Sequence, residues 1–294
     1  MLSGLSVLAV GPQVLIQDRG RTGYAHLGVP RAGALDAPAA ALANRLVGNR
    51  PDAAVLEVLL GGLVVRAEEA CWVAVTGAHT GAELARPAGP VRCVPHGQAF
   101  RVPAGETLTL GVPASGMRSY LAVAGGIDAA PVLGSRSTDT LAGVGPAPAA
   151  PGDRLPIGTP HGVPAALDTP RPPVADGVRL LAGPHPEWFA PDVLTRLVET
   201  RWTVAAASDR VGVRLAGDPI ARADGELPSE GTVLGAIQVP PDGRPVILLA
   251  DHGPTGGYPV AGVVHPDDVW QLAQLRPGEQ VRLRPPPAAS GARG

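Results

Sequence analysis

Apolar residues along this chain come mostly in short runs, split by glycine, proline and polar turn residues. That pattern predicts short strands more than long helices. In the first half, strands are expected at Val55 to Leu60, Leu63 to Ala67, Trp72 to Thr76, Gln98 to Val102, Thr107 to Val112 and Tyr120 to Val123. Residues 5–27 read as two more, placed around a polar turn. In the second half the runs are Val178 to Ala182, Thr203 to Ala206, Val211 to Leu215, Thr232 to Val239, Val246 to Ala250 and Val281 to Leu283. Helical spacing is clearest over 36–47: Asp36 can cap it, Pro38 suits its first turn, Ala39, Leu42, Ala43 and Leu46 share a face, and Gly48 suits the stop. Shorter helices are expected at Pro191 to Val198 and about Pro266 to Leu275. The fold class expected is mainly β with a few short helices.

One turn occurs twice. Val14-Leu15-Ile16 leads into Asp18-Arg19-Gly20-Arg21-Thr22-Gly23-Tyr24, and Val246 to Leu249 leads into Asp251-His252-Gly253-Pro254-Thr255-Gly256-Gly257-Tyr258. Each copy is followed by an apolar stretch and a helix start, which suggests two halves built alike, their turns facing one shared cleft. Residues 143–177 are rich in Pro, Ala and Gly. The organisation expected is a β-rich domain over 1–145, a connection over 146–177, a second domain over 178–285 and a disordered tail over 286–294.

Composition narrows the function. The 39 Gly and 34 Pro punctuate apolar runs without replacing them, and 45% hydrophobic residues suffice for real cores, so disorder is not expected. All 24 basic residues are arginine. Schiff-base chemistry, a phosphate-loop lysine and a lysine carrying biotin are thereby excluded within this sequence. A net charge of −2 without a basic block argues against nucleic acid, and 3% aromatics leave few stacking platforms. Cys71 and Cys93 lack metal spacing and read as reduced thiols. No run approaches the roughly 20 apolar residues that span a bilayer, and no leader is evident at the N-terminus. A cytoplasmic protein without membrane contact is expected.

Candidate chemistry lies at the polar turns. Their glycines serve either tight turns or backbone amides that bind carboxylate or phosphate oxygens. Ser135-Arg136-Ser137-Thr138-Asp139 is either a capped turn or an anion site built on an arginine fork. Asp209 and Arg210, adjacent before an alternating segment, point to opposite faces and do not pair with each other. Gln238 ends an apolar run flanked by Ser229-Glu230-Gly231, so it is either solvated or a buried amide needing partners. None of the seven histidines makes HExxH or a similar pair, so no metal site is expected. A GxSxG elbow and a Walker loop are absent. The residues alone point to a polar cleft for a small anionic or amide ligand.

Ordered motifs then carry a resemblance. Gln17 to Tyr24, Gly28-Val29-Pro30, Gly33 to Asp36, Ala43 to Asn49, Ser119 to Val123 with Gly125-Gly126-Ile127, Leu133 to Asp139, Gly183-Pro184-His185, Ser208 to Gly212, Ser229-Glu230-Gly231, Gly235 to Pro240 and Thr255 to Pro259 resemble the biotin-dependent carboxyltransferase family. That family is also known as allophanate hydrolase subunit 2, or as the C subunit of 5-oxoprolinase. The resemblance implies two cyclophilin-like β-barrel units. It implies membership of an ATP-dependent complex that hydrolyses 5-oxoproline to glutamate, with a companion subunit similar to a sporulation-kinase inhibitor (allophanate hydrolase subunit 1 type) and a third lactam-utilisation subunit. The alternatives are transfer of carboxylate from carboxybiotin to urea or a related amide, and non-catalytic regulation of the kinase-inhibitor-like partner. ATP would bind at an interface or on a partner chain, and biotin would arrive on another chain. Arg19, Arg21, Tyr24, Ser135, Arg136, Asp209, Arg210, Gln238, Thr255, Gly256, Gly257 and Tyr258 are the expected substrate contacts, with Asp18 and Asp251 as candidate bases. Gly253-Pro254 departs from a Gln-Thr pair more common in relatives.

Overall fold

The computed structural model describes residues 3–87, 89–165 and 176–285. The expected tail over 286–294 and part of the expected connection, 166–175, lie outside the described residues. The chain divides into two compact units, one holding residues 3–23 and 31–165, the other 24–30 and 176–285.

In the first unit the strands are β1 (Gly4–Ala9), β2 (Gln13–Gln17), β3 (Val55–Leu59), β4 (Val64–Ala67), β5 (Cys71–Gly77), β6 (Ala82–Ala85), β7 (Val91–Cys93), β8 (Ala99–Val102), β9 (Thr107–Leu110), β10 (Arg118–Val123) and β11 (Arg154–Pro156). They form a six-stranded sheet, β11-β1-β4-β9-β6-β7, and a five-stranded sheet, β2-β3-β10-β5-β8. Val14, Leu56, Val58, Val73, Val75, Leu121 and Val123 of the second sheet join Leu5, Val7, Val65, Leu84, Leu108 and Leu110 of the first in one core. Alternate residues Val55, Ala74, Tyr120 and Ala122 point the other way, onto helix α1 (Ala37–Leu46). Central strand β10 is therefore buried on both faces.

Asp36 caps α1, its carboxylate accepting from the Ala39 amide at 3.0 Å. A buried polar knot fixes the entry to that helix. The Tyr120 hydroxyl donates to Glu57 at 2.8 Å and accepts from the Asp36 amide at 2.8 Å, while Glu57 also accepts from the Leu35 amide at 3.0 Å. Burial, reinforced by the Glu57 charge, pushes the Tyr120 phenol well above its usual range.

Two expectations for this half change. Both strands of 5–27 precede the polar turn, and residues 25–27 form a 3-10 turn instead. Up to residue 165, the stretch expected as a connection is packed chain: β11 pairs with β1, Ala149 donates to Val14 and Ala165 to Leu46. Gly125 shows how closely it packs. Its φ is +100° and an added Cβ would lie 2.0 Å from the Gly158 carbonyl oxygen.

The second unit contains β12 (Val178–Ala182), β13 (Trp202–Val204), β14 (Gly212–Ala216), β15 (Glu230–Gly231), β16 (Ala236–Gln238), β17 (Val246–Leu248), β18 (Thr255–Gly256), β19 (Val260–Val264), β20 (Gln280–Val281) and β21 (Leu283–Arg284). Eight of them form one sheet in the order β20-β13-β14-β17-β16-β19-β12-β21. Its two edges, β20 and β21, are neighbouring stretches of chain, so the sheet curls until it nearly closes as a barrel. The small ribbon β15–β18 stands apart. Helix α2 (Val193–Glu199) is tied down by Trp202, whose indole N–H donates to the Leu197 carbonyl at 2.9 Å. The expected second helix is shorter, a 3-10 turn at Pro266–Asp268 continuing as α3 (Val269–Leu272). The second turn is followed by strand β19 and then by the helical turn capped at His265, the first by a 3-10 turn and then by α1, so the order of turn and helix start recurs while the stretch between them differs.

Candidate functional site

Asp18 is a junction in the first turn. One carboxylate oxygen accepts from Ser135 and Ser137 hydroxyls at 2.6 Å each and from the Gly20 amide at 2.7 Å; the other accepts from the Arg136 amide at 2.6 Å. Ser137 in turn accepts from the Asp18 amide at 2.9 Å. Arg21 is buried and donates to the Ser137 carbonyl. Four buried polar atoms gathered from this stretch have no protein partner: Gln17 Oε1, Arg21 Nη1, Thr138 Oγ1 and Asp139 Oδ2. Atoms of that kind are ordinarily met by internal water.

The expectation of Asp18 as a base and of Arg21 and Ser135 as anion contacts meets a physical obstacle here. Their polar groups hold the turn to the 135–139 loop and are already engaged within the protein. Arg19 is exposed, and the Arg136 side chain, 38% exposed, pairs with Asp128 at 3.2 Å. Arg136 borders a cleft of about 220 Å³ with Asn49, Arg50, Gly126, Asp128 and His161.

The second unit gathers a separate constellation. Arg210 and Asp251 form a bidentate pair, both bonds 3.0 Å, with side chains 3% and 0% exposed. The two side chains are engaged with each other, so Arg210 cannot grip an anion while so held. Asp209, as expected, does not pair with its neighbour; it is exposed and accepts from the Val211 and Gly212 amides. Thr255 and Tyr258 are exposed, Gly256 and Gly257 half-buried, and Tyr24, in the same unit, is half-buried.

Gln238 is only 7% exposed, yet its side-chain amide has no protein partner among the described residues. It lies against Gly256, where a Cβ would come within 2.6 Å of its nitrogen and 3.1 Å of the Thr232 methyl. A side chain there would push the Gln238 amide aside. Two histidines are hydrogen-bonded to neighbouring segments of this unit, and sequence reading, which weighed histidines as metal ligands, passed over both. His185 accepts from the Val260 amide through Nδ1 at 3.0 Å, so its proton sits on Nε2 and is donated to Glu230 at 3.1 Å. His252 has the opposite tautomer: its Nδ1 faces the Gly253 carbonyl at 2.8 Å and Thr232 Oγ1 at 3.0 Å. A carbonyl only accepts, so Nδ1 carries the proton and Nε2 is left as a base. Burial lowers the His252 pKa below the usual imidazole value, although the Gly253 carbonyl and Asp251 oppose it. The missed signal was local: His252 lies inside the repeated turn. Among the described residues no group of three or more His, Cys, Asp or Glu is placed to hold a metal, and no helix is long and apolar enough to cross a membrane.

The site stands in recognisable company. The protein is 39% identical over 290 residues to the C subunit of 5-oxoprolinase from Escherichia coli (strain K12), covering 95% of this chain and 90% of that relative. The crystal structure of TTHA0988 superposes with a TM-score of 0.86 at 42% identity over 96% of this chain, which spans 55% of that longer one. K. lactis urea amidolyase matches with a TM-score of 0.89 at 28% identity, over 97% of this chain and 19% of the amidolyase. The profile for the carboxyltransferase domain, subdomain A and B, matches residues 27–285. By fold, by sequence and by extent of match, the chain belongs to this carboxyltransferase family.

Proposed function

We propose that this protein is one member of a multi-subunit 5-oxoprolinase, in which it contributes to ATP-dependent opening of the 5-oxoproline ring to glutamate. The observation that carries the reading is the near full-length likeness to the C subunit of 5-oxoprolinase, 95% of this chain and 90% of the relative. The second unit supports it chemically. A lactam presents an N–H and a carbonyl, and a side-chain amide such as that of the buried Gln238 can meet either. Arg136, in the first unit, could exchange its surface partner Asp128 for a substrate carboxylate.

The nucleotide is assigned to a partner chain. No lysine exists to reach phosphates. Among the described residues, α1 is the one helix of useful length, and its first turn is closed by the Asp36 carboxylate, which repels phosphate. The proposed assembly is completed by two other chains, one similar to a sporulation-kinase inhibitor and the other a lactam-utilisation protein.

A second reading, carboxyl transfer from carboxybiotin to urea or a related amide, is favoured by the likeness to urea amidolyase. With no lysine in the sequence, biotin would come on another chain. The deciding experiment is glutamate release from 5-oxoproline by the chain co-expressed with its neighbouring subunits, with and without ATP. ATP-dependent glutamate that vanishes when this chain is omitted is the expected result. A well-formed complex that releases none would refute the reading and direct attention to bicarbonate-dependent transfer.

A further inference from the structure

The cleft beside Arg136 carries charges of both signs in matched pairs. Arg50 holds Asp52 at 3.1 Å, and Arg136 holds Asp128 at 3.2 Å through one guanidinium nitrogen. All four side chains line the cleft, and all four belong to the first unit. Arg50, bonded to it, holds the Asp52 carboxyl below the usual carboxylate range; partial burial opposes this, and the charge of Arg19 adds to it. Three arginines therefore bear on two carboxylates at one place.

The wall behind these charges is fixed. The Asn49 side chain accepts from the Gly125 amide at 2.8 Å and donates to the Val123 carbonyl at 2.7 Å and to Asn44 at 3.0 Å. The Gly126, Ile127 and Asp128 amides donate to the Val123, Ala54 and Pro156 carbonyls. With those backbone groups engaged, recognition falls to the charged side chains. Ion pairs this exposed contribute little in water, so each can open and re-form with a ligand. The signs then decide what fits. A simple anion would suit the arginines but sit against Asp52 and Asp128, and a simple cation would sit against Arg50 and Arg136. A molecule carrying both signs lets both pairs exchange partners with no charge stranded. The volume of about 220 Å³ is room for about seven waters, the scale of a free amino acid. The excess of arginine over carboxylate calls for a ligand with one more negative charge than positive.

We propose that this cleft binds an acidic α-amino acid as its zwitterion, with the two carboxylates on Arg50 and Arg136 and the ammonium on the aspartates those arginines release. Glutamate has the required groups. 5-Oxoproline has one carboxylate and a neutral amide nitrogen, so it can engage Arg136 alone and leaves the other pair closed. The cleft is read from its own charges and does not depend on the reaction proposed above.

The test is isothermal titration of the full chain with L-glutamate and, in parallel, with 5-oxoproline, inorganic phosphate and glutarate, which keeps both carboxylates but lacks the ammonium. Glutamate is expected to bind about 10- to 100-fold tighter than glutarate or 5-oxoproline, the worth of one hydrogen bond between charged groups. Arg50→Ala should weaken glutamate at least about tenfold. Asp52→Asn combined with Asp128→Asn should erase the preference for glutamate over glutarate, which a merely structural loss would not do. Glutarate or phosphate binding as tightly as glutamate would make this a plain anion site and overturn the assignment. Glutamate binding that these variants leave intact would place the amino acid elsewhere and overturn it too, as would no binding at millimolar glutamate. The selectivity is measured on the wild-type chain, so it decides even if a variant fails to fold. A complex that opens no 5-oxoproline refutes the proposed function and leaves this site standing, whereas glutamate that fails to bind refutes the site alone.

Discussion

Removing Asp251 measures how far the second turn depends on one buried ion pair. Two bonds of 3.0 Å join Arg210 to Asp251 with side chains 3% and 0% exposed, so neither charge has water to fall back on. Asp251→Ala strands a guanidinium in that environment, a loss of about 3–5 kcal/mol, or roughly 10²- to 10⁴-fold in the folding equilibrium. With a urea slope of about 2 kcal/mol/M, the midpoint for the second unit should drop by about 2 M. Tryptophan emission suits the assay because Trp188, Trp202 and Trp270 belong to this unit and only Trp72 to the other. Replacing both partners, Arg210→Met with Asp251→Leu, should recover most of the loss, since the penalty lies in the unpaired charge more than in the missing bond. A midpoint for Asp251→Ala within about 0.5 M of wild type, against the roughly 2 M expected, would show that the charge finds another partner and would refute the reasoning.

Three further outcomes follow from the described contacts. Tyr120→Phe leaves the Asp36 amide without its acceptor and takes one donor from Glu57, at a cost of about 1–3 kcal/mol by urea unfolding; an unchanged midpoint would mean that the knot rearranges freely. At pH 8 a thiol-specific disulfide reagent should label Cys93 quickly and leave Cys71 untouched, because Cys93 is exposed and burial pushes the Cys71 thiol up to about 11; two fast equivalents would contradict this. Burial lowers the pKa of both His96 and His252 in the folded protein, so the unfolded chain binds their protons more readily. Their contribution is present above the unfolded value near 6.5 and is lost as pH falls from there towards the folded values, and a pair of alanine replacements should flatten that part of the stability profile.

What the sequence disclosed, and what it did not, follows the range of each interaction. Asp36, Pro38 and the small apolar face of α1 are local signals, and the helix appears where they place it. Strands with dense β-branched or alternating residues, such as Val55–Leu59 and Val178–Ala182, are equally plain. β6, β7 and β19 carry weak local signals: Val91–Cys93 is exposed throughout, and Gly262 interrupts Val260–Val264. Barrel closure was hidden because it depends on residues 280–284 pairing with Thr203 on one side and Val178 on the other. The candidate site divides the same way. The turns and their polar residues were visible, but the pairing of Arg210 with Asp251, 41 residues away, was not. The hydrogen bonds that Ser135 and Ser137, 117 and 119 residues away, give to Asp18 were likewise out of sight. Residue type announces chemical capacity; only the fold reveals which capacities have already been spent.

The packed stretch after residue 145 has a practical consequence for dissecting the protein. A fragment ended at 145 would lose β11 and leave β1 with a bare row of backbone N–H and C=O groups from Gly4 to Ser6. It would also lose the strut from Ala149 to Val14 and expose the backbone beside Gly125. Such an open margin invites pairing between fragments, and the product would tend to aggregate for reasons unrelated to its core. A fragment carried through residue 165 retains β11, the Ala149 strut and the Ala165 tie to Leu46, and so keeps that margin covered.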